Sequence, residues 1–137
     1  KYIKDNVLDY HIIRAGAIIG NDSNFCKWLL NTLKTESQVE LYDNFFSPTP
    51  IENIFNLIED LIYEKLNNKL IHVSGYEKIS RFEMGIKIAK IINSNIDIIK
   101  KDYRDSKLKL FKDLSLTYSY DSKKNIDLMR SIENLVK

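Results

Sequence analysis

Asp43-Asn44-Phe45-Phe46-Ser47-Pro48-Thr49-Pro50 is the stretch on which the reading of this 137-residue chain turns. Thr49 has the side chain of a helix N-cap, Pro50 suits the first helical position, and Glu52 stands where a capping-box carboxylate reaches back. From Pro50 onward Ile51, Ile54, Phe55, Ile58, Leu61 and Ile62 recur at helical spacing, until the polar pair Asn67-Asn68 interrupts them. Upstream, Gln38 to Tyr42 alternates polar residues with Val39 and Leu41, the period-two pattern of a half-buried strand. The stretch is therefore a strand-to-helix junction. Phe45 and Phe46 are adjacent, so extended backbone sends one ring towards the core and the other outward, where it can stack on a base or plug a junction.

Working outward, the same alternation continues on both sides. Lys1 to Asn6 reads as the tail of a helix whose start lies before Lys1. Tyr10 to Ala15 is an apolar, β-branched run of the kind that forms a parallel strand covered on both faces, and Gly16 and Gly20 bracket its exit. Asp22 or Ser23 can cap a following helix whose Phe25, Trp28, Leu29 and Leu33 line one face. Beyond the junction, Leu70 to Ser74 predicts a strand and Gly75 a turn. Ser80 with Glu83 forms a capping box ahead of Phe82, Ile86 and Ala89. A weak strand at Ile96 to Ile99, a charged loop, a strand at Leu116 to Tyr120 and a helix from about Ile126 complete the pattern. Short strands alternating with helices predict an α/β fold, with an α+β-like character because the strands are few and short.

Composition excludes more than it assigns. A formal charge of +2 argues neither for nucleic acid nor for an anionic membrane as partner, and no apolar run approaches a membrane span. The lone Cys26 leaves no intrachain disulfide, no cysteine-histidine spacing suggests zinc, and a cytoplasmic location fits best. Lys100, Lys101, Arg104, Lys107, Lys109 and Lys112 interleave with Tyr103 and Phe111. Asp102, Asp105 and Asp113 cut their net charge, so the segment reads as a solvated loop. His11 and His72 lie inside apolar strands and read as hydrogen-bonded strand residues rather than catalysts. Asn24 and Lys27 lie one helical turn apart near a helix start, where they can hold a pyrophosphate or form a solvated polar face.

Three motifs in order, Ile12-Ile13-Arg14-Ala15-Gly16-Ala17-Ile18-Ile19-Gly20, the Ser47-Pro48-Thr49 loop, and Tyr120-Asp121-Ser122-Lys123, resemble the extended short-chain dehydrogenase/reductase superfamily. The resemblance is closest to its dTDP-4-dehydrorhamnose reductase branch, and it covers nearly the whole chain but only the family's C-terminal part. It implies the C-terminal part of a Rossmann-type reductase. Residues 1–20 would end the nucleotide-binding domain, and residues 21–137 would be the substrate-binding region. Ala15, Gly16 and Ala17 would then lie against the nicotinamide end of NADP or NAD. Asn24, Lys27, Phe45, Ser47 and Thr49 would face a nucleotide-sugar, and the whole reductase would be a homodimer serving polysaccharide synthesis. The branch usually carries aromatic residues where Ala17 and Ile19 stand, and an arginine-proline pair where Leu114 and Ser115 stand. The glycine fingerprint and the Tyr-x-x-x-Lys catalytic pair of the family are read as absent, so the chain alone is expected to be inactive. An epimerase or dehydratase, or a non-catalytic subunit of the same fold, stays open. An incomplete parallel sheet would also leave apolar faces exposed and favour self-association.

Overall fold

The alternation expected from the sequence is the architecture found. A computed structural model describes residues 2–7, 9–20, 23–64, 69–120 and 122–136. The order is α1 (Tyr2–Asn6), β1 (His11–Ala15), β2 (Ala17–Ile19), α2 (Asn24–Thr35), β3 (Gln38–Tyr42), β4 (Phe45–Phe46) and β5 (Pro48–Pro50). There follow α3 (Ile51–Glu64), β6 (Lys69–Val73), β7 (Ile79–Ser80), α4 (Arg81–Ile91), β8 (Asp97–Lys101), a 3-10 turn at Tyr103–Asp105, β9 (Asp113–Leu114) and α5 (Leu128–Val136). Parallel pairs join β1 to β6, β2 to β5 and β3 to β8, while β4 lies between antiparallel β7 and parallel β9.

Two apolar clusters hold these pairs. The larger packs Leu29 and Leu33 of α2, Val39 and Leu41 of β3, Met84 and Ile88 of α4, and Leu128 and Ile132 of α5, all buried. Each such side chain contributes about 1.5–3 kcal/mol when fully removed from water. The smaller joins Leu57 and Leu61 of α3 to Ile71 and Val73 of β6, with Ile13 of β1 against them.

The capping box is present as read. Ser80 Oγ accepts from the Glu83 N–H at 3.1 Å, and Glu83 Oε2 accepts from the Ser80 N–H at 2.8 Å. Ser23 caps α2 by accepting from the Cys26 N–H at 3.4 Å, while Asp22 lies outside the described residues. At the end of α4, Asn93 takes φ 53°, the left-handed position that asparagine tolerates, and the Ser94 N–H reaches Ala89 O at 2.9 Å.

Several expectations are corrected. β1 is parallel, but it is not covered on both faces: His11, Arg14 and Ala15 are exposed, because β6 is its one neighbour among the described residues. Trp28 is 47 % exposed, and Cys26 takes the buried place on α2. On α3 the apolar positions divide. Leu57 and Leu61 are buried, whereas Ile51, Phe55, Ile58 and Ile62 form an exposed stripe together with Tyr63. The break at Asn67-Asn68 lies outside the described residues. Leu116 to Tyr120 is no strand. Its bonds to neighbouring chain run largely through hydroxyls, with Ser47 Oγ accepting from the Leu116 N–H at 3.2 Å and Ser119 Oγ accepting from the His72 N–H at 2.8 Å.

Candidate functional site

Two prolines leave Thr49 the only residue of β5 with a backbone N–H, so this strand needs packing as well as ladder bonds to stay in place. It pairs with β2 in the register Ala17 to Pro48, Ile18 to Thr49 and Ile19 to Pro50. On one flank sits Gly16, where an added Cβ would lie 2.6 Å from Ser47 O and 2.8 Å from Thr49 Oγ1. On the other sits Gly75, where a Cβ would overlap the Pro48 carbonyl. Only glycine lets backbone approach this closely on both sides.

The predicted cap at this junction is not what forms. The helix begins at Ile51, Thr49 Oγ1 donates to Ser47 O at 3.4 Å, and Glu52 Oε2 accepts from Ser131 Oγ at 3.2 Å. Ser47 and Thr49 are buried beneath the loop they belong to. Of the other residues singled out, Ala15 and Ala17 are exposed beside half-buried Gly16, and Asn24 and Lys27 are exposed on the first turns of α2. Phe45 and Phe46 divide as read: Phe46 is 3 % exposed, and Phe45 is half-buried with Lys78 Nζ 5.2 Å from its ring centre. The structure thus brings Ala15 to Ala17 and Ser47 to Thr49 together.

Phe25, next to Asn24, meets Phe46 edge to face at 6.3 Å, which ties the start of α2 to the same junction. Against both rings lies Arg81, a residue not singled out by sequence. Its guanidinium carbon is 5.2 Å from the Phe25 ring centre and 5.4 Å from that of Phe46. Its Nε donates to Asn44 Oδ1 at 3.2 Å and its backbone N–H to Asn44 O at 3.3 Å. Burial pushes its pKa below the ordinary arginine value. Arg81 lines a groove of about 370 Å³ together with Phe25, Trp28, Tyr42, Leu108 and Leu110. Position after a capping serine was the only available signal for it, and that signal points to helix start rather than to charge.

The expectation that Tyr-x-x-x-Lys is absent needs correction as to spacing, which occurs twice, at Tyr103/Lys107 and at Tyr120/Lys124. Tyr103 opens a 3-10 turn. Tyr120 donates from its hydroxyl to Asp60 Oδ2 at 2.5 Å, while Lys124 Nζ is held by Glu59 at 2.5 Å and Asp60 at 3.4 Å. The Tyr120 bond lowers the Asp60 pKa, and the Glu59 bond raises that of Lys124. Phenol and ammonium are thereby both turned to carboxylates, a latch between α3 and the segment before α5. In Tyr120-Asp121-Ser122-Lys123, Asp121 lies outside the described residues. No group of three or more metal-ligating side chains occurs among the described residues, and none of the helices described is long and apolar enough to cross a membrane.

Residues 1–108 match the family model described as the RmlD substrate binding domain. Among solved structures, the chain is similar to dTDP-4-dehydrorhamnose reductase from Bacillus anthracis in complex with NADP, at 20% identity and TM-score 0.83, over 98% of this chain and 50% of that one. A hypothetical dTDP-4-dehydrorhamnose reductase from Sulfolobus tokodaii matches at 30% identity and TM-score 0.68, over 81% of this chain and 40% of that one. UDP-glucose 4-epimerase with UDP-glucose from Thermotoga maritima matches at 13% identity and TM-score 0.76, over 98% and 47%. The chain thus spans half or less of the length of these solved structures. No curated protein sequence matches it.

Proposed function

This chain belongs to the RmlD substrate binding domain family, and from that premise we propose that it is the substrate-binding portion of an NAD(P)-dependent reductase of keto nucleotide-sugars. The observation that carries the reading is the meeting of two segments. The strand exit Ala15-Gly16-Ala17 and the Ser47-Pro48-Thr49 loop are locked side by side through the β2–β5 pair and the Gly16 approach. A hydride donor and its acceptor must be held in near-contact for transfer, and a rigid seam between a cofactor-facing strand and a substrate-facing loop supplies that positioning.

In this reading Ala15, Gly16 and Ala17 present backbone and small side chains to the nicotinamide end of NADP or NAD, which supplies the hydride when bound. Asn24, Lys27 and Phe45 face the nucleotide-sugar. Ser47 and Thr49 are buried, so their part is to hold the loop rather than to touch the sugar. We place the acid/base for the carbonyl outside these residues: the Tyr120 phenol and Lys124 ammonium are turned to carboxylates of α3, and Tyr103 opens a 3-10 turn. The chain alone therefore does not turn over. A homodimeric, cytoplasmic reductase belongs to the same proposal, and the single, free Cys26 fits a reducing compartment.

The test is turnover by the gene product that carries these residues, with dTDP- and UDP-linked keto sugars and NADPH or NADH. Cofactor oxidation that depends on the keto sugar is expected. Its absence with every nucleotide-sugar would leave a non-catalytic binding subunit as the reading, and isomerisation without net cofactor oxidation would assign an epimerase.

A further inference from the structure

Among the described residues Arg81 is a cation without a counter-ion. One of its five N–H groups is used, by Asn44 Oδ1, and no carboxylate of the described residues pairs with it. The two phenylalanine faces offset part of the lost hydration, yet a half-buried guanidinium with free terminal amines still favours an anion beside it. A second orphan stands next to it. Asn44 is fully buried, and its Nδ2 has no hydrogen-bond partner although its Oδ1 is held by Arg81. Arg81, with donors unused, lines the groove, and Asn44, which holds its Nε, lies buried behind it with a donor unused. Glu40, which also lines that groove, is neutralised by Lys101 Nζ at 3.0 Å and leaves Arg81 as the cation there without a carboxylate partner.

The rest of the groove suits a planar group. Trp28 and Phe25 lie 6.0 Å apart with planes tilted by 33°, Tyr42 is half-buried, and Leu108 and Leu110 close the far wall from the loop after the 3-10 turn. Its volume falls in the range that takes a small organic ligand.

We infer that Arg81, with Asn44 behind it, is the phosphate-binding residue of this groove, and that the groove takes the nucleoside diphosphate half of the substrate, phosphates on the guanidinium and base against Trp28. This rests on the nucleotide-sugar reading above and adds to it the residue that recognises the diphosphate. It also replaces Lys27, exposed on the solvent side of α2, as the principal anion contact. A dinucleotide cofactor carries the same diphosphate chemistry. The position of Arg81 beside Trp28 and Tyr42, rather than beside Ala15 to Ala17, favours the sugar nucleotide.

Calorimetric titration of the full chain with dTDP, UDP, thymidine, uridine and NADP separates these cases. The wild type is expected to bind one nucleoside diphosphate at least about tenfold more tightly than its nucleoside, the gain of charge-assisted hydrogen bonds. In Arg81→Met that advantage should vanish while nucleoside affinity holds, and Arg81→Lys should keep part of it. Trp28→Leu, at an exposed position that does not threaten folding, should weaken nucleoside and diphosphate by the same factor. An undiminished diphosphate advantage in Arg81→Met, or a loss confined to NADP, overturns the inference and leaves the reductase reading standing. A wild type that binds neither dTDP nor UDP at millimolar concentration overturns both.

Discussion

Replacing Gly16 by alanine tests whether the seam between β2 and β5 is as tight as its geometry states. The new Cβ would stand 2.6 Å from Ser47 O and 2.8 Å from Thr49 Oγ1, whereas ordinary contact begins near 3.4 Å. The loop must then open by about 0.4–0.8 Å, which in a close-packed interior costs about 1–3 kcal/mol. Thr49 Oγ1 is poorly placed to escape, being fully buried, and Ser47 is tethered through its Oγ to the Leu116 N–H. The opposing effect is smaller: no glycine here has a positive φ, so alanine loses no backbone comfort and restricts the unfolded chain by about 0.4–1 kcal/mol. The net loss is about 1–2 kcal/mol, or roughly 3–10 °C in Tm for a chain of this size. Gly20→Ala is the internal control, since its Cβ would meet only the Ile51 side chain, at 3.2 Å, and Ile51 is exposed enough to yield. Thermal and urea unfolding of both variants are read side by side. Equal changes, or a Gly16→Ala chain as stable as wild type, would refute the close-approach argument.

Other expectations follow from features already described. Ser80→Ala removes the hydroxyl half of the capping box, leaving the backbone N–H to Glu83, and should cost about 1 kcal/mol by urea unfolding. Glu83 has its pKa held below the ordinary 4.5 chiefly by the Ser80 backbone N–H and then by the Ser80 hydroxyl. Asp102, bonded by Arg104, is lowered to about 2. Both folded values are depressed, so their contribution is present above the ordinary carboxylate values and is lost as pH falls through the folded ones. Urea midpoints should drop between about pH 4.5 and 2, less so in high salt, because both groups are near the surface. Ser80→Ala should blunt that drop only in part, because the larger cause, the backbone N–H, remains. Asn53 is fully buried and holds Ile126 by accepting from its N–H at 2.8 Å and donating to its O at 3.1 Å, so Asn53→Leu should cost about 2 kcal/mol and speed exchange of the Ile126 amide. The exposed stripe of α3 should make the chain pair with a second copy; light scattering should show a mass above 16.1 kDa, falling to that value in Phe55→Glu with Ile62→Glu.

Legibility in the sequence followed the range of the interactions. The Ser80 box and the alternation of Val39 with Leu41 rest on neighbours within a few residues, and both were readable. The cap at Thr49 was misread because distant groups intervene: β2 draws residues up to Pro50 into a strand, and Ser131 takes the Glu52 carboxylate. Leu116 to Tyr120 has strand composition, but hydroxyls of Ser47, Ser74 and Ser119 satisfy much of its backbone and that of β6 in place of a ladder. Periodicity showed that α3 is amphipathic without showing that Phe55 and Ile62 fall on the far side from Leu57. Arg81 carried no motif, and its importance arises only where Phe25, Asn44 and Phe46 converge from separate elements.

The pairings of β1 with β6, β3 with β8 and β4 with β9 join Ile12 to Leu70, Val39 to Ile98 and Phe45 to Asp113. Each ladder closes a long loop before it gains a bond, and the chain has few short-range strand contacts to lower that entropic barrier. Time is the consequence. Helix α4, with its local cap, can form within about a microsecond, whereas the chain as a whole must search for partners and should refold in about milliseconds to seconds. During that search the stripe of α3 and the edges of the unpaired strands are open together, so refolding yield should fall as protein concentration rises, even where the folded molecule dissolves freely.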